Sequence, residues 1–123
     1  DAENCAVGSS AINSGGHNIE DGDSCMLGAT GDVTGTLVAL EPLSSIGPWV
    51  GAPGMQARMG IARLRRGSQA IDGGDSHTCP PVDQRGVARP IDGDGNGSYV
   101  CDVGAYEFDL INGVMLPLVM RGY

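Results

Sequence analysis

The stretch between Cys79 and Glu107, CPPVDQRGVARPIDGDGNGSYVCDVGAYE, constrains the fold of this chain more than any other. Two cysteines bracket the run Asp92-Gly93-Asp94-Gly95-Asn96-Gly97. Oxygen-bearing side chains alternate there with glycines. Such side chains suit a hard cation, and glycine lets the backbone curl around it. A short apolar strand is expected next, with Val100, Val103 and Tyr106 facing inward. The segment reads as a stapled loop that closes a β-rich domain.

The rest of the chain extends that constraint. Gly 21 in 123 residues, without a three-residue period, marks frequent turns and not collagen. Aromatics are 4%, so the core has to come from Val, Ile, Leu, Ala and Met. The length suits one domain. The pieces Cys5-Ala6-Val7, Ala11-Ile12 and Asn18-Ile19 read as strands of a few residues between turns. Leu37 to Leu40 is the most continuous candidate for a buried strand. Pro42, Gly47-Pro48 and Pro53-Gly54 then break regular structure. Trp49 stands among the breakers, where it reads as a plug for the core, with a sugar-stacking platform as the alternative. Met55 to Arg66 admits two readings, a helix interrupted by Gly60 or a strand over 60–64.

Short strands at close turn spacing suit a β-solenoid whose coils take roughly 20 to 30 residues each. The expected fold is therefore all-β, a short right-handed parallel β-helix or its C-terminal cap, with irregular Gly/Pro-rich loops. Residues 1–109 form the solenoid-like domain, and 110–123 form an apolar tail or edge strand. Within the tail, Val114, Met115, Leu116, Leu118, Val119 and Met120 flank Pro117, which permits an edge strand only. Such a tail has to fold back, dock on a partner or contact the envelope. If it adds as a strand to the next subunit, the head-to-tail contact propagates into a filament.

Charge and cysteine spacing narrow the function. Net charge is −8 and lysine does not occur, which disfavours nucleic-acid binding. The cluster Arg58, Arg63, Arg65 and Arg66 reads as a solvated face. No segment has the roughly 20 apolar residues of a membrane span. Cys5, Cys25, Cys79 and Cys101 form no C-x-x-C and lack a histidine pair, so zinc is a poor reading. An even count at wide spacing points to disulfides and an oxidising compartment. Of three connectivities, sequential pairing, Cys5–Cys25 and Cys79–Cys101, is expected. Each loop of about twenty residues adds about 3 kcal/mol. The start at Asp1 reads as a processed product or fragment, and a cleaved export signal fits the cysteines.

Calcium is the expected ligand of the glycine-rich loop. Asp92, Asp94 and Asn96 occupy positions 1, 3 and 5 of a D-x-D-x-N-G pattern, and Ser98 offers its carbonyl. Val103 stands where an EF-hand has its bidentate Glu, so Asp102 or Glu107 has to substitute. The bland alternative is a bare Gly/Asx turn. Asp83, Arg85 and Arg89 form a second polar cluster. It reads as a network pinning a turn, and a catalytic arginine beside calcium, as in lyases of acidic sugars, is the alternative. His17 and His77 read as turn residues. No nucleophile elbow or phosphate loop accompanies them.

The same segments carry a resemblance. C-P-x-x-D-Q-R-G-x-x-R-P, then D-G-D-G, then C-D-x-G-A-Y-E resembles the C-terminal end of secreted bacterial parallel β-helix proteins of the choice-of-anchor Q family. Ser68 to Gly74 is similar to the family's G-S-P-A-I-D-x-G, with Gln69 in place of proline. Gly16 to Ile19 followed by Ser24-Cys25 is similar to its G-x-N-(L/I)...S-C rung. The tail is similar to L-P-L-V-x-R endings of secreted bacterial surface proteins. Residues 46–66 depart from the family pattern. The resemblance implies a secreted, bacterial cell-surface module that is structural and not enzymatic. Adhesion, envelope decoration or self-assembly would be its role. The alternative is the terminal part of a carbohydrate-processing, polyuronate lyase-like β-helix enzyme.

Overall fold

The computed structural model describes residues 4–6, 12–44, 49–50, 52–54 and 56–110. Glycine-rich turns leave little regular structure in them. Two short strands, β1 (Trp49–Val50) and β2 (Ala57–Arg58), pair antiparallel with Trp49 opposite Arg58. Isolated bridges join Leu40 to Leu64, Ser44 to Ile61, Val82 to Ala88 and Ile91 to Val100, all antiparallel. One bridge, Ile19 to Val33, is parallel.

Residues 39–44 and 49–50 pair with 57–65 as parts of an irregular hairpin. Glu41 N donates to Arg63 O at 2.7 Å, and Arg65 N donates to Ala39 O at 2.9 Å. Ser44 and Ile61 exchange both backbone bonds, at 2.9 and 2.8 Å. From Leu40↔Leu64 to Ser44↔Ile61 the first arm has one residue more than the second, which is a bulge. Pro53 followed by Gly54, at φ 87°, suits the turn end, because a type II turn needs positive φ at its third residue. The extended reading of 60–64 is therefore the one the structure adopts, and the helix over 55–66 does not form in its described residues. The physical reason is pairing: Ile61 and Leu64 are buried at 0% and 5% exposure while Ile61, Arg63 and Arg65 bond through their backbone to the opposite arm.

The parallel bridge is the kind of contact stacked coils make. Val33 N donates to Asn18 O at 2.8 Å, and Glu20 N donates to Val33 O at 2.9 Å. Among the described residues it is a single rung, not a continuous stack. The segment Leu37–Leu40 differs from its expected burial. Leu37 is 79% exposed and Leu40 44%, while Val38 alone of the four packs against the core. The expected strands at Cys5–Val7 and Ala11–Ile12 fall partly outside the described residues, as does Met55.

The apolar core is small. Leu64, Ala70 and Phe108 form its centre, with Ile19, Val38, Ile71, Val103, Tyr106 and Leu110 against it. Val103 and Tyr106 thus face inward as expected. Val100 is half-buried, and the deepest places beside it go to Cys101, Asp102, Glu107 and Phe108. Of the segment 110–123, Leu110 packs on the core. The assembly candidates Val114 to Met120 lie outside the described residues.

Disulfides pair Cys5 with Cys25 and Cys79 with Cys101, and no cysteine is free. Gly74 lies against Cys101 of the second staple. A Cβ on Gly74 would lie 2.7 Å from the Cys101 carbonyl oxygen, which its own N–H already binds at 2.7 Å. No helix among the described residues is long and apolar enough to cross a membrane. Peptide mapping under non-reducing conditions is expected to return both sequential pairs. Replacing Cys79 and Cys101 by serine should lower unfolding free energy by about 3 kcal/mol in urea titration. Crossed pairs in the map would refute this arrangement.

Candidate polar hub and cation loop

Glu107 has no solvent exposure, yet each of its polar atoms is engaged. Its Oε2 accepts from Arg89 Nε at 2.6 Å and from Asp102 N at 3.2 Å. Its Oε1 accepts from Ile91 N at 2.8 Å. Its backbone N donates to Asp83 Oδ2 at 3.1 Å, and its carbonyl accepts from Arg85 Nη2 at 2.5 Å. Two glycine-containing turns, 83–87 and 102–107, therefore meet on one residue, the first on its backbone and the second also on its carboxylate.

The two arginines complete the hub. Arg89 donates from Nη1 to Gly104 O at 3.1 Å and from Nη2 to Asp102 O at 2.5 Å. Its side chain is 4% exposed. Arg85 bonds Asp83 Oδ2 from Nε at 2.7 Å and lies 3.8 Å over the Tyr106 ring. Asp83 Oδ1 accepts from the backbone of Arg85 at 2.7 Å and of Val87 at 3.1 Å. The expected network of Asp83, Arg85 and Arg89 is present, and Glu107 is the member that sequence reading placed elsewhere. Planar guanidinium forks suit this work because they hold several carbonyl and carboxylate oxygens at once.

A relay leads from the hub to the glycine-rich loop. Asp102 Oδ1 accepts from Asp72 N at 2.8 Å and Oδ2 from Phe108 N at 2.5 Å. Asp72 in turn accepts from Gly93 N at 3.2 Å and Asp94 N at 2.9 Å. Asp92 binds Gly95 N, Asn96 N and Gly97 N at 2.7, 3.1 and 2.8 Å. Asn96 donates to Asp94 from both nitrogens, and its Oδ1 accepts from Ser98 N at 2.7 Å. The loop is an Asx-turn nest built on Asp92.

Asp92 and Asp94 do come together. Their third acidic partner is Asp72, with one carboxylate oxygen from each within 4.8 Å of the others. Asp102 is not part of that cluster. It is 3% exposed and spends both oxygens on backbone N–H groups, so it positions Asp72 from behind. Asn96 and Ser98 keep to the loop's own hydrogen bonds. The sequence signal for Asp72 is its place before Gly73-Gly74, which allows a turn but gives no reach across the twenty residues to Asp92.

Electrostatics divides these carboxyls. Burial raises Asp102 from 3.8 to about 6, against the backbone hydrogen bonds and with help from the Glu107 charge. Burial also raises Asp72, and the Asp94 and Asp92 charges add to it. Burial pushes Asp83 upward too, but the bonds from Arg85, Glu107 and Val87 outweigh it and leave the group lowered. Asp75 is lowered by the His77 backbone N–H and the Thr78 hydroxyl. His77 is a turn residue, 96% exposed beside Asp75. His17 reaches further: its Nδ1 lies 3.0 Å from Gly73 O, tying the Gly16–Asn18 segment to the Asp72 turn.

No family model, curated protein or solved structure matches this chain.

Arg89→Met strands the buried Glu107 carboxylate and should cost about 3–5 kcal/mol in urea unfolding. A loss under about 1 kcal/mol would show that the hub is not needed. The pH response has two limbs. Folded Asp102 keeps a proton that the unfolded chain releases, so its stabilisation is complete below about pH 4 and is lost as pH rises through about 6. The lowered Asp83 and Asp75 act oppositely, stabilising above the ordinary carboxylate range and failing as pH falls below it. With chelator present, stability should pass a maximum between about pH 4 and pH 6. Asp102→Asn should flatten the neutral limb, and a monotonic rise to pH 7 in the parent would contradict the assignment.

Proposed function

We propose that this chain is a non-enzymatic, secreted structural module of a bacterial cell surface, stapled by its disulfides and held at one end by calcium. The supporting observation is how the reactive-type residues are used. Asp83, Arg85, Arg89, Asp102 and Glu107 direct their charged groups at backbone groups or at one another. A lyase needs an arginine with a nitrogen free to take a substrate proton. Arg89 has Nε, Nη1 and Nη2 all donating within the protein and is nearly shut off from solvent, which weighs against that reading.

The parallel bridge Ile19↔Val33 supports a β-helix or its C-terminal cap as the architecture. Adhesion, envelope decoration and head-to-tail self-assembly are the roles such a module serves, and the resemblance to choice-of-anchor Q proteins points the same way. Two disulfides with no free thiol are compatible with an extracellular place.

Calcium rests on the Asp72, Asp92 and Asp94 oxygens. Each ionised carboxylate has about four acceptor sites, so the N–H bonds they already take leave lone pairs for an ion. A hard divalent ion would relieve the repulsion among three acids. Calcium at about a hundredfold excess over its dissociation constant should stabilise the fold by about 3 kcal/mol, read as a rise in Tm. Asp94→Ala, at an exposed position, should remove that rise without lowering the Tm measured in chelator by more than a few degrees. Identical melting curves with calcium and with chelator would refute the ion. A parent chain that cleaves polyuronates would refute the structural role.

A further inference from the structure

Residues 94–98 read Asp-Gly-Asn-Gly-Ser. Asn96-Gly97-Ser98 is an N-x-[ST] sequence, the acceptor pattern for N-linked glycans. The chain has five asparagines, and Asn96 is the one with a serine or threonine two residues on. The fold sets it on the surface. Residues 94–99 are all exposed, and Tyr99 stays 68% open to water. A Cβ placed on Gly97 would meet nothing within 4 Å, so the middle of the pattern borders open space.

The side chain of Asn96 is held in one orientation. Its Oδ1 accepts from Ser98 N at 2.7 Å, which closes an Asx turn over the pattern itself. Its Nδ2 donates to Asp94 Oδ2 at 2.9 Å, and its backbone N donates to Asp94 Oδ1 at 2.9 Å. The reversed amide would set oxygen against a carboxylate oxygen and nitrogen against an N–H, so these contacts fix which atom points where. Nδ2 carries two hydrogens, and Asp94 takes one. Asn18 is exposed too, but its Nδ2 serves Ser14, Gly16 and Asp32, and Glu20 stands where the pattern needs a hydroxyl. An amide nitrogen is a poor nucleophile, because its lone pair is shared with the carbonyl. A donor on Oδ1 makes the remaining N–H more acidic, which favours loss of its proton during reaction.

We propose that Asn96 is a glycosylation site, taking an N-linked oligosaccharide from a polyprenyl-pyrophosphate donor. Asn96 Nδ2 attacks the anomeric carbon of the first sugar. The bond from that carbon to the pyrophosphate oxygen breaks, and polyprenyl pyrophosphate leaves with the electron pair. The Nδ2 proton passes to a carboxylate of the transferase that catalyses the step. One hydrogen of Nδ2 is consumed, so the bond to Asp94 survives in the product. The proposal rests on the secreted reading, because such transfer takes place on the exported side of a membrane. An ion on the Asp72, Asp92 and Asp94 oxygens would leave the amide nitrogen available, so calcium and glycan do not compete for one atom. A bulky, solubilising sugar at this exposed loop suits a module that works at a surface.

The test incubates the disulfide-bonded full chain with a purified single-subunit oligosaccharyltransferase and an undecaprenyl-pyrophosphate-linked oligosaccharide. Intact mass should rise by one glycan per chain, and peptide mapping should place it on Asn96. Asn96→Gln should abolish the rise. Ser98→Ala, which removes the hydroxyl of the pattern, should slow transfer at least about tenfold, and Ser98→Thr should keep it. The preformed Asx turn predicts that the folded chain is modified at least as fast as the reduced and carboxymethylated chain. The glycosylated chain should keep the melting temperature of the bare one. No transfer to the folded chain, a glycan on another asparagine, or transfer only after unfolding would each overturn the proposal. These outcomes are read on purified protein and do not depend on where the chain resides. Native chain recovered with reduced cysteines would instead overturn the secreted reading, and with it the modification in the cell, while transfer in vitro persisted.

Discussion

A buried ion pair between Glu107 and Arg89 is the interaction on which the rest of this structure depends. The apolar centre contributed by Leu64, Ala70 and Phe108 is small. The turns of 83–91 and 102–107 have few ladder bonds of their own. Their peptide groups find partners on Glu107, Arg89, Arg85 and Asp83 instead. Such a pair gains little over an apolar filling, since desolvation offsets its Coulomb energy. Its value lies in directing many N–H and C=O groups that a glycine-rich backbone leaves without a ladder. Once those groups are out of water, every member of the network needs its partner, which makes the set all-or-none.

The same logic carries outward to the cation loop. Asp102 holds the backbone of Asp72, and Asp72 holds the backbone of Gly93 and Asp94. The loop carboxylates therefore converge because of a chain of hydrogen bonds that begins at a buried pair. Each link moves further toward solvent, from Glu107 at 0% exposure through Asp102 at 3% to the exposed Asp94. The interior end of the relay is sealed from water, and the exposed end carries the Asp72, Asp92 and Asp94 carboxylates. Partners, not depth, shift acids of one connected network in opposite directions: hydrogen bonds from Arg85 and backbone N–H groups outweigh burial at Asp83, while burial and neighbouring acids raise Asp102.

The regions around the two disulfides differ in how fully their polar groups are satisfied. Around Cys79–Cys101 each buried carboxylate is saturated, as expected of a part whose work is to hold shape. Around Cys5–Cys25 one carboxylate oxygen is not, and apolar side chains stand open to solvent beside it. Unpaired buried polar groups are rare in natural proteins, and each calls for a physical explanation.

Local chemistry in the chain was enough to announce its turns and its disulfide pairing, whereas the core expected from Val, Ile, Leu, Ala and Met has the aromatic Phe108 at its centre and no described Met in it. Glycine and Asx residues act through their own backbone, and cysteines twenty or so residues apart close loops that any compact path can satisfy. The polar cluster Asp83, Arg85 and Arg89 was legible for the same reason, since Asp83 and Arg85 bond within one turn. Three features were not legible. Glu107 lies in a segment that reads as strand, and its role appears only when Arg89 and Ile91 reach it across sixteen to eighteen residues. Asp72 joins Asp92 and Asp94 only because Asp102, thirty residues on, fixes its backbone. Residues 57–65 are extended because 39–44 and 49–50 pair with them, where the local pattern balanced helix against strand. The sequence by itself determined where this chain turns and where it is stapled, because those choices depend on single residues. Tertiary structure alone decided which acids are buried, paired or left open, because desolvation and hydrogen bonding are set by neighbours that the chain brings together only on folding.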